Sequence, residues 1–189
     1  MDLHPTRSCE PRWYDSARQR HHLPATLRDW LLDESSLTRR LQERCQGHFS
    51  VELISLGWGR PRLDESRALG TAPSQRALIR QVRLWCADKP WVFARTVIPI
   101  ASLRGAQRRL AHLGNRPLGA YLFAHPALQR SALQIARISR HSRLLAACAP
   151  LPHDAWGRRS LFRLQGHPLL VSEFFLPDLP PFASRFSHE

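Results

Sequence analysis

The chain has 189 residues, 43% of them hydrophobic, and a formal net charge of +13. That length supports one globular domain with a real core and is too short for two independent ones. No apolar run approaches the roughly 20 residues that span a bilayer, so no membrane-crossing helix is expected.

Residues 1–23 are polar, lack the apolar core of a signal peptide and read as a flexible N-terminal arm. A soluble, cytoplasmic chain is expected. From residue 24, LPATLRDWLL predicts a helix, with Thr26 as its cap, Asp29 completing a capping box, and Leu27, Trp30 and Leu31 as its apolar stripe. Glu34-Ser35-Ser36 breaks it from a second helix that carries Leu37, Leu41 and Cys45 and stops at Gly47. HFSVELISLGWG alternates as a strand. The polar stretch from Arg60 to Ser74 reads as a loop. RALIRQVRLWCADKPWVFARTVIPI is a hairpin turning at Ala87-Asp88-Lys89-Pro90. SLRGAQRRLAHLG predicts a helix capped by Ser102 and stopped by Gly114, and NRPLGAYLFAHP a compact turn entering a short element. Residues 127–149 leave alternatives open: ALQIARIS fits a strand or part of a helix, and RLLAACAPLPHDAW a helix or a loop. RRSLFRLQGHPLLVSEFFLP is a second hairpin, turning at Gln165-Gly166-His167-Pro168, and residues 178–189 form a proline-rich surface tail. Short strands, tight turns and separate helices imply an α+β fold: a single domain over 24–177, with helices packed against an antiparallel sheet.

Several chemistries find no support. Cys9, Cys45, Cys86 and Cys148 are far apart and form no C-x-x-C pair, so reduced thiols are expected rather than a disulfide framework or zinc site. The histidines show no metal-binding spacing, and no metal is expected. Lys89 is the only lysine; the arginines are dispersed, in blocks no longer than two, with no nucleic-acid recognition motif beside them. A solvated basic surface is expected and no nucleic-acid partner, although such a field also concentrates an anionic small substrate.

Two ionisable residues sit on apolar faces. Alternation puts Arg80 with Leu78, Val82 and Leu84, and Glu173 with Leu169, Val171 and Phe175. A buried unpaired charge costs several kcal/mol, so each needs a partner. The two can pair with each other. Alternatively they line the two ends of an apolar pocket, Arg80 holding a ligand carboxylate with its planar fork and Glu173 meeting a hydroxyl or ether. The small residues Ala94 and Thr96 share one face of the neighbouring strand and leave room there.

LRDWLLDESSLTRRL, LWCADKPWVFARTVIPIASL, LGNRPLGAYLF and WGRRSLFRLQGHPLLVSEFFLP together resemble the chorismate lyase family, in the family's order and over about residues 23–177. The resemblance implies elimination of pyruvate from chorismate, leaving 4-hydroxybenzoate for ubiquinone, with no metal or organic cofactor. It implies Arg80 at the substrate carboxylate and Glu173 at the hydroxyl end as the proton-transfer residue. Leu37 and Leu118 fall at ligand-contacting positions that act partly through backbone groups. Ala94 stands where the family has a pocket glycine, which bears on how tightly product is retained and hence on product inhibition. Residues 140–155 are longer than the family pattern. A monomer is expected, with chorismate and 4-hydroxybenzoate as its ligands. The competing reading is a non-catalytic aromatic-acid-binding module of the related effector-sensing fold used by transcription regulators.

Overall fold

A computed structural model describes residues 10–182. Its centre is one eight-stranded sheet, antiparallel at every pairing. In chain order the elements are β1 (Tyr14–Asp15), α1 (Ser16–Gln19), α2 (Ala25–Leu32), α3 (Leu37–Cys45), β2 (Phe49–Gly59), α4 (Leu63–Leu69), β3 (Ala77–Cys86), β4 (Lys89–Pro99), α5 (Leu118–Phe123), β5 (Leu128–Arg130), β6 (Gln134–Ile138), β7 (Ala155–Leu164) and β8 (His167–Phe175). The strand order is β1-β6-β7-β8-β4-β3-β2, with β5 also on β7. This is the expected α+β domain. No helix among the described residues is long and apolar enough to cross a membrane.

Both hairpins form, each with a two-residue turn rather than the four residues expected. The second turns on Gln165 and Gly166, at φ 50° and 81°. Positive φ at both positions matches the right-handed twist of the flanking strands. Leu164 therefore faces His167, and Arg158 faces Glu173.

Each sheet face has its own cover. Trp30, Leu31, Leu37 and Leu41 of α2 and α3 pack with Val82, Leu84, Val92 and Phe175. Beside them Leu118 and Leu122 of α5 pack with Leu78, Ile98 and Phe162. On the opposite face Phe93 and Phe174 stack at 5.8 Å between ring centroids and meet Leu144 and Leu145. Residues 140–155 thus cover the face away from α3 and α5.

Several local expectations change. Pro24, not Thr26, is the N-cap of α2, without any side-chain cap; its ring fixes φ at −56° and Thr26 falls inside the first turn. Ser102 caps nothing: its hydroxyl is buried and donates to Pro168 O at 2.7 Å, and the following helix is a 3-10 stretch, Gly105–His112. The loop expected at Arg60–Ser74 contains α4. Its acidic residues look like surface in the sequence but are internal anchors. Glu65, 3% exposed, accepts from Arg95 Nε and Nη2 at 2.6 and 3.0 Å, and Asp64 accepts from Arg159 at 3.0 Å. Of the expected arm, residues 1–9 lie outside the described residues. The rest folds onto the domain: Tyr14 and Asp15 pair with β6, and Leu23 is buried. The tail also packs, with Phe182 edge-on to Trp30 at 4.9 Å and Pro180 O accepting from Trp30 Nε1; residues 183–189 lie outside the described residues.

The cysteine expectation is corrected as well. Cys45 ends α3, Cys86 ends β3, and they form a disulfide with Cα atoms 5.4 Å apart. Pairing of Phe49 with Cys86 reverses the chain so that the end of α3 returns to β3. A sequence separation of 41 residues conceals this. Cys148 is free, and Cys9 lies outside the described residues.

Candidate active site

The registers place four strands' side chains in rows on the α3–α5 face. One row runs Val82, Ala94, Glu173, Arg158; the next runs Arg80, Thr96, Val171, Ser160. Small residues in the middle of both rows leave a hollow. Its roof is made where two helices begin, α3 at Leu37 and α5 at Leu118. First-turn N–H groups have no partner within a helix, so both roof residues carry main-chain donors that their own helices leave unused. The roof seam is tight at Gly119: a Cβ there would lie 3.0 Å from Thr38 Oγ1 and 3.1 Å from Ser36 Oγ, so a side chain would push on these two groups. The disulfide ties the far end of α3 to the floor strand β3.

The cavity leaves about 50 Å³ for the centres of water-sized molecules, several times what one ordered water needs. Leu37, Ala94, Leu118 and Glu173, four of the residues expected at a site, all line it. Arg80 does not. It flanks the cavity, in register with the lining residue Thr96. Its Nη2 is drawn to the carbonyls of Gly114 and Arg116, each at 2.9 Å, in the turn leading to α5. Its Nε is buried without a partner. Burial pushes the guanidinium down to about 10, so it remains positive at neutral pH.

Arg80 and Glu173 do not pair. One strand, β4, lies between theirs, and they sit one row apart, about 12 Å between Cα atoms by ordinary sheet spacing. Glu173 is instead held by Arg158, a residue that sequence reasoning did not single out. Arg158 Nε donates to Glu173 Oε2 at 2.6 Å, and its Nη1 donates to Trp30 O and Asp33 O at 2.6 and 2.5 Å. Arg158 is 1% exposed, while the Glu173 side chain keeps 18% exposure. The expected lone carboxyl among apolar residues is therefore half of an ion pair, anchored on one side and open to the cavity on the other. Arg130 was missed too: it lines the same cavity, 43 residues before Glu173 in the chain.

The chorismate lyase family model matches residues 11–185. Among curated relatives, the probable chorismate pyruvate-lyase of Marinobacter nauticus is 46% identical over 162 residues, covering 84% of this chain and 79% of its own. That of Methylococcus capsulatus is 44% identical over 153 residues, covering 80% and 94%. Solved structures share the fold at low identity. The C-terminal domain of the histidine utilization repressor from Pseudomonas syringae pv. tomato has a TM-score of 0.57 and 11% identity, covering 74% of this chain and 99% of that one. The effector domain of PhnF from Mycobacterium smegmatis has a TM-score of 0.54 and 12% identity, covering 83% and 98%. The regulators share only an architecture with it, whereas the lyase relatives share well over a third of their residues across nearly all of the described domain: the chain belongs to the chorismate lyase family.

Proposed function

We propose that this chain is a chorismate pyruvate-lyase, eliminating pyruvate from chorismate in the cavity under α3 and α5 and leaving 4-hydroxybenzoate, the first committed step toward ubiquinone. The observation that carries the reading is the anchored carboxylate of Glu173 in an otherwise largely apolar cavity. Elimination takes a proton from the ring carbon that bears the hydroxyl. The C–H electrons become the new ring double bond, and the neighbouring C–O bond breaks with its pair on the enolpyruvyl oxygen. That oxygen gains a proton and the enol becomes pyruvate. Aromatisation drives the reaction. Glu173 accepts a hydrogen bond on Oε2 from Arg158, which leaves Oε1 for the ligand and suits it to take the first proton. The unpartnered Nε of Arg80 and the first-turn N–H groups at Leu37 and Leu118 then receive the ring carboxylate. The extra methyl of Ala94, beside Glu173 in the row, sets how closely the flat product is held and so how strongly it inhibits. The enzyme works as a cytoplasmic monomer on these small ligands alone.

Incubating the purified protein with chorismate and following pyruvate and 4-hydroxybenzoate tests this. No turnover over a broad pH range removes the lyase reading. Tight 4-hydroxybenzoate binding without turnover would favour the sensor-like alternative, which the fold shared with regulator effector domains makes worth testing. Arg80→Ala is expected to weaken 4-hydroxybenzoate binding about 10- to 100-fold, the worth of a hydrogen bond to a charged group. Unchanged affinity by titration calorimetry would reject the role given to Arg80.

A further inference from the structure

The described ion pairs leave a mismatch around the cavity. Arg95, Arg158 and Arg159 are buried on the two faces of the sheet and each holds a carboxylate: Glu65, Glu173 and Asp64. Among the described residues Arg80 and Arg130 have no carboxylate within ion-pair distance. Arg130 ends β5 and is half-buried at the cavity wall. Its Nε donates to Ser160 Oγ on the floor at 3.0 Å, and its Nη1 donates to Glu34 O in the link that leads to the roof. Its guanidinium carbon stands 5.1 Å from the Phe162 ring centroid. These contacts hold the group in place without neutralising it. Burial pushes Arg130 below the usual arginine range, with the nearby Glu173 charge pulling the other way.

Arg130 also has a second exposure. Together with Phe123 it lines both the inner cavity and an adjoining outer pocket that includes His125 and Ser131. A ligand in the cavity that carries an anionic arm would place that arm at this wall. Chorismate has such an arm: besides its ring carboxylate it bears a second carboxylate on the enolpyruvyl group, on the ring carbon next to the hydroxyl. 4-Hydroxybenzoate has lost it.

Resting on the lyase reading, we propose that Arg130 binds the enolpyruvyl carboxylate of the substrate, so that it distinguishes substrate from product. Two guanidinium groups lacking a protein carboxylate then match the two carboxylates of the dianion. Arg80 is retained by both substrate and product, and Arg130 by the substrate alone. Once the arm has left as pyruvate, Arg130 no longer holds what remains. Its fork suits the task, since with Nε on Ser160 and Nη1 on Glu34 O the guanidinium is fixed while Nη2 remains to meet a carboxylate.

The test compares ligands that differ only in the arm. In Arg130→Gln the KM for chorismate should rise about 10- to 100-fold, in line with loss of a charge-assisted contact, while the Kd of 4-hydroxybenzoate stays within about twofold of wild type, since a group that does not touch the product contributes nothing to its binding. 4-Hydroxybenzoate bearing a carboxymethoxy group beside its hydroxyl should lose affinity in parallel with chorismate. Arg130→Lys keeps the charge without the fork, and should fall between the two for both arm-bearing ligands. An unchanged KM in Arg130→Gln overturns the inference. So does an equal loss of affinity for 4-hydroxybenzoate, which would show that Arg130 merely supports the wall. The binding arms need no turnover. An inactive wild-type protein would therefore defeat the lyase reading, while the paired benzoates would still decide whether Arg130 reads the arm.

Discussion

Glu173→Gln is expected to lower chorismate turnover about 10²- to 10⁴-fold, the usual contribution of a positioned proton-transfer group, while the protein keeps its fold. The geometry makes this substitution unusually clean. Glutamine has nearly the same shape, and its amide oxygen can still accept from Arg158 Nε in the place of Oε2. What it cannot do is take a proton from carbon. Exchanging a charged acceptor for a neutral one keeps that hydrogen bond but leaves the buried Arg158 cation without its counter-charge, a cost of about 1–3 kcal/mol, below that of removing a partner outright, which a domain of this size tolerates. Circular dichroism should therefore stay close to wild type and the urea midpoint fall by about 1 M or less, while pyruvate release collapses. 4-Hydroxybenzoate should still bind, because Arg80 and the roof N–H groups are untouched. Near-normal turnover would remove Glu173 from the chemistry. Lost turnover with a lost fold would instead make it a structural residue.

How Glu173 is held was the part hardest to read in advance, and the reason is register. Alternation along each strand correctly groups Arg80 with Val82 and Glu173 with Val171, because side-chain direction has a period of two whatever the strand pairs with. Partners across strands depend on the turn. A four-residue turn at Gln165–Pro168 would set Glu173 opposite Ser160; the two-residue turn sets it opposite Arg158. The adjacent arginines 158 and 159 point to opposite faces, and nothing local says which carboxylate each will take. The same limit hides α4. Asp64 and Glu65 look like solvated charges until the fold brings Arg159 and Arg95 beneath them. Ala94, Leu37 and Leu118 were reachable through the family resemblance, which fixes positions but not distances. That is why Arg80 was expected within the cavity, when its Nη2 is held by the carbonyls of Gly114 and Arg116 at its edge.

Arg158→Met is expected to destabilise the protein by about 3–5 kcal/mol, the cost of removing one partner from a buried ion pair. The loss is large because Arg158 serves three groups at once. Its removal strands the Glu173 carboxylate and also the carbonyls of Trp30 and Asp33, which end α2. At a denaturant slope of about 2 kcal/mol/M the urea midpoint should fall by about 2 M. A drop equivalent to less than about 1 kcal/mol would mean that water or a neighbour replaces these bonds, against the usual penalty for stranding a buried charge. The double variant Arg158→Met/Glu173→Leu separates stability from chemistry. Replacing both members of a buried pair by apolar groups is often neutral or stabilising, so it should recover much of the lost midpoint. It should recover no turnover. A double variant as stable as wild type yet silent toward chorismate would show that the pair is kept for the reaction and that the fold could do without it. If instead the double variant is no more stable than Arg158→Met, the two α2 carbonyls carry most of the cost, and Arg158 serves chiefly as the clamp that holds α2 and the roof link over the cavity.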